Sequence, residues 1–88
     1  MRSEEALVII LRPCITEKTF DMIERENKLV FIVDLKASKN RIREAIQVLY
    51  DSDVQSVNTV RTVSGKKAYV RFSKDRVAAD LASKLGLV

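Results

Sequence analysis

Three residues of the segment 66–72 combine side chains that bind phosphates with one that stacks on a base. Lys67, Tyr69 and Arg71 alternate with apolar residues. Because successive side chains of a strand point to opposite faces, this pattern predicts a strand with one face to bury and one face carrying two cations around an aromatic ring. Such a face can hold phosphates and stack a base or a sugar, so RNA is the leading candidate partner. The plainer interpretation is a solvated strand with a lone tyrosine.

Two further basic clusters support an RNA partner. One surrounds the start of a predicted helix, where backbone N–H groups attract anions, and the other lies at the tip of a predicted hairpin, beside polar residues able to reach a 2′-hydroxyl. Ordinary solvated surfaces are the alternative for both. The helix-start cluster is Lys36, Ser38, Lys39, Arg41 and Arg43, and the hairpin cluster is Asn58, Thr59, Arg61, Lys66 and Lys67.

Acidic residues gather instead on the first predicted helix. Glu17 stands at its beginning, and Asp21 and Glu24 follow one and two turns later. Complementing the helix dipole explains an acidic first turn. The functional alternative is a docking site for a protein partner, facing away from the RNA.

Catalysis is the weakest hypothesis. The chain has no histidine, which removes the commonest general base and metal ligand. Cys14 has no imidazole to activate it and is better explained as a small core residue. Asp51 and Asp53 lack the further ligands of a cation site, and the glycine at position 65 joins two predicted strands rather than opening a helix as in a phosphate loop. We expect no enzyme, no metal and no cofactor.

Composition predicts one small globular domain over residues 1–88. Hydrophobic residues make up 47% of the chain, which favours a folded domain over disorder. The apolar run at residues 7–11 has five residues, too few for a membrane span; no signal peptide is visible, and a single cysteine favours a cytoplasmic location. Residues 1–34 carry 5 basic and 7 acidic residues, whereas residues 35–88 carry 11 and 5, so the positive charge lies in the later elements.

The elements that must position these residues follow from periodicity and end signals. Residues 29–35 are almost continuously apolar, as in a central strand buried on both faces. Thr16 and Ser38 occupy helix N-cap positions, with Phe20 and Ile23 expected on the inward face of the first helix. The predicted elements are strand 8–11, a helix after Thr16, strand 29–35, a helix after Ser38, strands 54–61 and 67–72, and a last helix over 75–85.

The predicted order is therefore β-α-β-α-β-β-α. Two strands joined by a short turn must be antiparallel, and few glycines or prolines interrupt the elements. The fold class expected is α+β, with a mostly antiparallel four-stranded sheet and helices packed on it.

Four blocks resemble, in order, the sequence pattern of the large-subunit ribosomal protein twenty-three family. They are residues 11–18 (LRPCITEK), 27–39 (NKLVFIVDLKASK), 57–59 (VNT) and 66–70 (KKAYV). The similarity extends from about Leu11 to Leu87, and the combination is far more specific than any block alone.

This resemblance implies a structural, ribosome-bound protein. It would bind large-subunit rRNA, mainly in the third rRNA domain, beside the nascent-chain exit tunnel. It would also contact a small helical ribosomal protein and help to dock the signal recognition particle through Glu17, with Asp21 on the same helix. With Arg41 and Arg71 added from the basic clusters described above, the RNA-binding residues expected are Thr16, Lys18, Lys36, Ser38, Lys39, Arg41, Asn58, Thr59, Arg61, Lys66, Lys67, Tyr69 and Arg71.

The hairpin turn departs from the bacterial pattern. Bacterial members carry a long basic insertion that reaches into the tunnel, whereas residues 62–65 are nearly all that join the strands here, and a final helix follows. Both features resemble archaeal members and argue against a tunnel-probing loop or chaperone docking of the bacterial kind. The alternative function is a non-ribosomal RNA-binding or protein-interaction module that uses the hairpin as an edge strand.

Overall fold

An additional N-terminal helix precedes the predicted series of elements. The computed structural model describes residues 1–63 and 65–87. The elements are α1 (Ser3–Ile9), β1 (Ile10–Pro13), α2 (Glu17–Glu26), β2 (Lys28–Val33), α3 (Lys39–Tyr50), β3 (Val54–Thr62), β4 (Gly65–Phe72) and α4 (Val77–Lys84). From β1 onward the predicted order β-α-β-α-β-β-α is confirmed.

Helix α1 displaces the first predicted strand. Val8 is helical, and the strand runs over Ile10–Pro13 rather than residues 8–11. Glu4 and Glu5 occupy the first turn of α1, where negative charge is favourable. Ala6 and Ile9, three residues apart, lie on the same side of the helix and are both buried.

The four strands form one antiparallel sheet in the order β1-β2-β4-β3, which confirms the predicted fold class. Strand β4 therefore lies between β2 and β3. The hairpin closes where Thr62 pairs with Gly65. The φ of Gly65 is +127°, a backbone conformation that side chains other than hydrogen disfavour.

All four helices contribute to one core on one face of the sheet. Buried residues of every helix belong to the same cluster as Leu29, Phe31 and Val33 of β2. The Phe31 ring stacks on Tyr50 of α3, with ring centroids 5.9 Å apart, and burial raises the pKa of the Tyr50 phenol. On α2, Ile23 is buried as predicted.

The prediction that Phe20 faces inward was wrong. Phe20 is 37% exposed. The buried residues of α2 are Thr19 and Ile23, four residues apart on one side of the helix, and Phe20 lies beside this narrow stripe. This leaves an aromatic side chain on the surface near the acidic residues of the helix.

The second face of the sheet lies outside the core cluster that the helices share with the first face. Val30 and Ile32 of β2 are nevertheless only 1% and 7% exposed, and neither belongs to the cluster shared with the helices. They lie opposite Tyr69 and Lys67 of β4. The prediction of a strand buried on both faces is confirmed, and the register places the Tyr69 and Lys67 side chains beside Val30 and Ile32 on this side.

Side-chain caps explain where α2 and α3 begin. Thr16 accepts a hydrogen bond from the Thr19 N–H at 3.2 Å, and the Thr19 hydroxyl accepts one from the Thr16 N–H at 2.7 Å. This reciprocal pair satisfies two backbone donors of the first turn. Ser38 accepts from the Arg41 N–H at 3.3 Å. Both predicted N-caps are confirmed.

Asn27 connects three elements where α2 ends. Its backbone is left-handed, with φ 55°, a conformation that asparagine tolerates better than most residues. Its side-chain amide donates to the carbonyls of Phe72 and Lys74. Its Oδ1 accepts from the Ala78 N–H at 3.0 Å. One side chain thus ties the end of α2 to the end of β4 and the start of α4.

Candidate nucleic-acid interface

The sheet face away from the helices, called here the outer face, groups several predicted RNA-binding residues. Ala68, Val70 and Phe72 of β4 are buried in the core. Lys67, Tyr69 and Arg71 alternate with them and therefore lie on the outer face. Strand register completes this face with Lys28, Val30 and Ile32 of β2 and Ser56, Asn58 and Val60 of β3.

Arg12 joins this face and was not among the residues predicted from the sequence. It pairs with Ile32 across β1 and β2, and antiparallel partners project to the same side of the sheet. The register shifts between Ile10 and Arg12, so this irregularity decides which face Arg12 occupies. The position of Arg12 on the outer face follows from the strand order and from that shift, and neither can be predicted from the four residues of β1.

The hairpin cluster is divided between the two faces. Asn58 pairs with Tyr69 on the outer face, whereas Thr59 pairs with the buried Ala68 on the helix side. Arg61 pairs with Lys66, also on the helix side. Adjacent residues of a strand cannot share a face, so these residues present two surfaces rather than one.

One hydrogen bond brings the helix-start cluster to the hairpin. The Lys66 ammonium donates to the Ala37 carbonyl at 2.6 Å, and Ala37 lies between Lys36 and Ser38 in sequence. An ammonium has three donors, so Lys66 keeps two for another acceptor. Ser38 uses its oxygen as acceptor in the cap, which leaves its hydroxyl proton free to donate to a phosphate.

The arginines of the helix-start cluster are already engaged within the protein. Arg41 lies 4.0 Å from a Glu5 carboxylate oxygen, both side chains being more than half exposed, and such a pair contributes little stability. The Arg43 guanidinium donates to the Gln55 carbonyl at 3.3 Å. Lys36 and Lys39 are exposed and form no ion pair within residues 1–63 and 65–87, so the lysines are the freer cations.

The start of α2 forms a separate site. A shallow depression of about 500 Å³ is lined by Ile15, Thr16, Glu17, Phe20 and Asp21. Ile15 and Phe20 are 40% and 37% exposed, so apolar surface lies beside the two carboxylates. Thr16, predicted to contact RNA, lines this acidic depression, and the exposed Lys18 lies on the same helix.

Other kinds of site receive no support. In the part of the chain that the structure describes, no three acidic, cysteine or histidine side chains are grouped as metal ligands. Among the helices described, none has the length and apolarity needed to cross a membrane.

Comparison with known proteins finds a matching family and a similar archaeal protein. The sequence profile of the family described as Ribosomal protein L23 matches residues 8–81. The large ribosomal subunit protein uL23 of the archaeon Methanococcus aeolicus is 42% identical over 84 residues, covering 94% of this chain and 98% of the relative.

Proposed function

The chain belongs to the ribosomal protein L23 family and is therefore a structural component of the large ribosomal subunit rather than an enzyme; from this premise we propose that it binds large-subunit rRNA beside the exit of the nascent-chain tunnel. Its residues 1–88 act as one RNA-binding domain. The outer face and the end of the sheet where Lys66 meets the helix-start cluster supply the contacts.

The outer face is the observation that carries this proposal. It places Lys67 and Arg71 on either side of Tyr69, with Asn58 opposite the tyrosine and Arg12 on the far strand. Cations displace counterions condensed on RNA, while the phenol ring and the amide stack and hydrogen-bond with unpaired nucleotides. The same five side chains serve affinity and recognition.

RNA binding should depend steeply on salt. With roughly four to six phosphate contacts, we expect log Kobs to fall with log salt with a slope of about −3 to −5. Filter binding of the purified protein to large-subunit rRNA over a potassium chloride series measures this slope, and small-subunit rRNA is the specificity control. An affinity that does not change with salt would instead favour a protein-interaction module.

The depression at the start of α2 is proposed as the dock for the signal recognition particle. Glu17 and Asp21 offer carboxylates beside the exposed Ile15 and Phe20. This combination suits a partner surface that presents basic and apolar side chains together. A small helical protein of the large subunit is proposed as a further neighbour.

Charge reversal at Glu17 should weaken docking without weakening RNA binding. We expect Glu17→Lys to reduce capture of purified signal recognition particle by about tenfold, because an attractive charge becomes repulsive at the contact. Glu24→Lys is the matched control, since it makes the same charge change on the same helix outside the depression. Pelleting of reconstituted ribosomes measures capture, and equal losses for both variants would contradict the assignment.

A further inference from the structure

A small depression on the outer face has a composition that the general RNA-binding proposal does not use. It is lined by Arg12, Pro13, Cys14, Ile32 and Lys67 and has a volume of about 340 Å³. It lies where the edge strand β1 meets β2, with β4 on the other side of β2. Three strands therefore contribute to it.

The lining separates charge from apolar surface. Ile32, which is 7% exposed, forms the apolar floor, whereas Pro13 pairs with the core residue Phe31 and borders the depression from the edge strand. Arg12 and Lys67 carry the charge, and neither forms an ion pair with a carboxylate in residues 1–63 and 65–87. Two uncompensated cations beside an apolar floor suit a ligand with an anionic group and a flat apolar group.

We infer that this depression receives one unstacked nucleotide of the bound RNA, with its phosphate between Arg12 and Lys67 and its base against Ile32. The inference rests on the proposed function, because it names the form of RNA that the outer face takes. The volume of about 340 Å³ is at the lower end of the roughly 300–1,000 Å³ typical of small-ligand sites, so it suits one nucleotide rather than a duplex.

The spacing of Tyr69 supports an unstacked strand. Lys67 and Tyr69 are two residues apart on β4, which separates them by about 7 Å along the strand. Stacked bases are only about 3.4 Å apart along one strand. If adjacent nucleotides occupy the depression and the tyrosine, they must therefore be unstacked, as in a loop or a bulge, where bases are free to be recognised individually.

Nuclear magnetic resonance titration tests this inference directly. A uridine- and adenosine-containing single-stranded RNA hexamer and a duplex of the same sequence are added to the full-length, nitrogen-labelled protein. We expect the single strand to shift the amide signals of Arg12, Cys14 and Ile32. The duplex presents mainly phosphates and 2′-hydroxyls and should leave these three signals in place.

A pair of variants and a chemical readout sharpen the test. Arg12→Ala should weaken single-strand binding about tenfold, the effect of losing one charge-assisted hydrogen bond, whereas Lys84→Ala on α4 should not. Cys14 is the only cysteine, so its alkylation by N-ethylmaleimide reports on this depression alone. With the hexamer at about ten times its Kd, the alkylation rate should fall about tenfold, since mainly free protein reacts.

The outcomes separate this inference from the proposal on which it rests. Equal signal shifts with duplex and single strand, or unchanged hexamer binding by Arg12→Ala, would overturn the nucleotide site. If salt-dependent binding to large-subunit rRNA persists in that case, the proposed function stands without the site. If the unmodified protein did not bind large-subunit rRNA at all, both the nucleotide site and the proposed function would be overturned.

Discussion

Replacing Asn27 with alanine is expected to lower the free energy of unfolding by about 3 kcal/mol, since three side-chain hydrogen bonds are lost at roughly 1 kcal/mol each. The two carbonyls and the N–H that bond to Asn27 belong to Phe72, Lys74 and Ala78. Alanine also fits the left-handed backbone less well. A domain of this size has a total stability of about 5–15 kcal/mol, so the loss is a large part of it.

Two variants divide this effect into its causes. Asn27→Gly removes the same hydrogen bonds but accepts φ 55° without strain, so it should lose less stability than Asn27→Ala. Asn40→Ala is the control, because Asn40 is an exposed residue of α3. Urea unfolding followed by circular dichroism measures all three. Similar midpoints for Asn27→Ala and Asn40→Ala would show that the connection made by Asn27 is not a stabilising one.

Charge reversal at Lys67 is expected to weaken binding to large-subunit rRNA by more than tenfold and to flatten its salt dependence by about one unit of slope, the contribution of one phosphate contact. Lys67 lies on the outer face opposite Ile32 and lines the depression with Arg12. A glutamate there repels phosphate and also pairs with Arg12, which removes a second cation from the RNA. Lys39→Glu should weaken binding to a smaller extent, because Lys39 stands at the exposed start of α3.

The matched control for these reversals is Lys84→Glu. It changes the net charge equally but lies in the last turn of α4, on the helix side of the sheet. Filter binding at several salt concentrations gives both affinity and slope for each variant. If Lys84→Glu reduced binding as much as Lys67→Glu, binding would depend on the net charge of the protein, and the assignment of the outer face as the RNA-binding surface would be contradicted.

Strict alternation made the outer face predictable. Ala68, Val70 and Phe72 fill the core and Lys67, Tyr69 and Arg71 lie opposite, because a strand leaves no other arrangement for such a pattern. The same rule separates Asn58 from Thr59, so the division of the hairpin cluster was readable in the sequence. The helix-start cluster and both caps likewise depend on local chemistry, which a sequence retains.

Features that depend on long-range pairing were not predictable. Helix α1 was missed because a short apolar run cannot be assigned to helix or strand by periodicity alone, and here Leu7 and Val8 remain 62% and 67% exposed. Phe20 matched an inward helical position, yet the buried side of α2 is a narrow stripe of Thr19 and Ile23. Arg12 reaches the outer face through a register shift, and the connection made by Asn27 joins residues more than forty positions apart.

The strand order β1-β2-β4-β3 has a consequence for the biosynthesis of this protein. While the ribosome is still making the chain, β2 has one edge without a partner until residues 65–72 emerge, and this edge belongs to the most apolar strand of the fold. Folding must therefore wait for nearly the whole chain, as is usual for sheets built from distant segments. Strand β4, which pairs with that free edge of β2, also carries Lys67, Tyr69 and Arg71. The sheet and the surface proposed to bind RNA are therefore completed by the same strand.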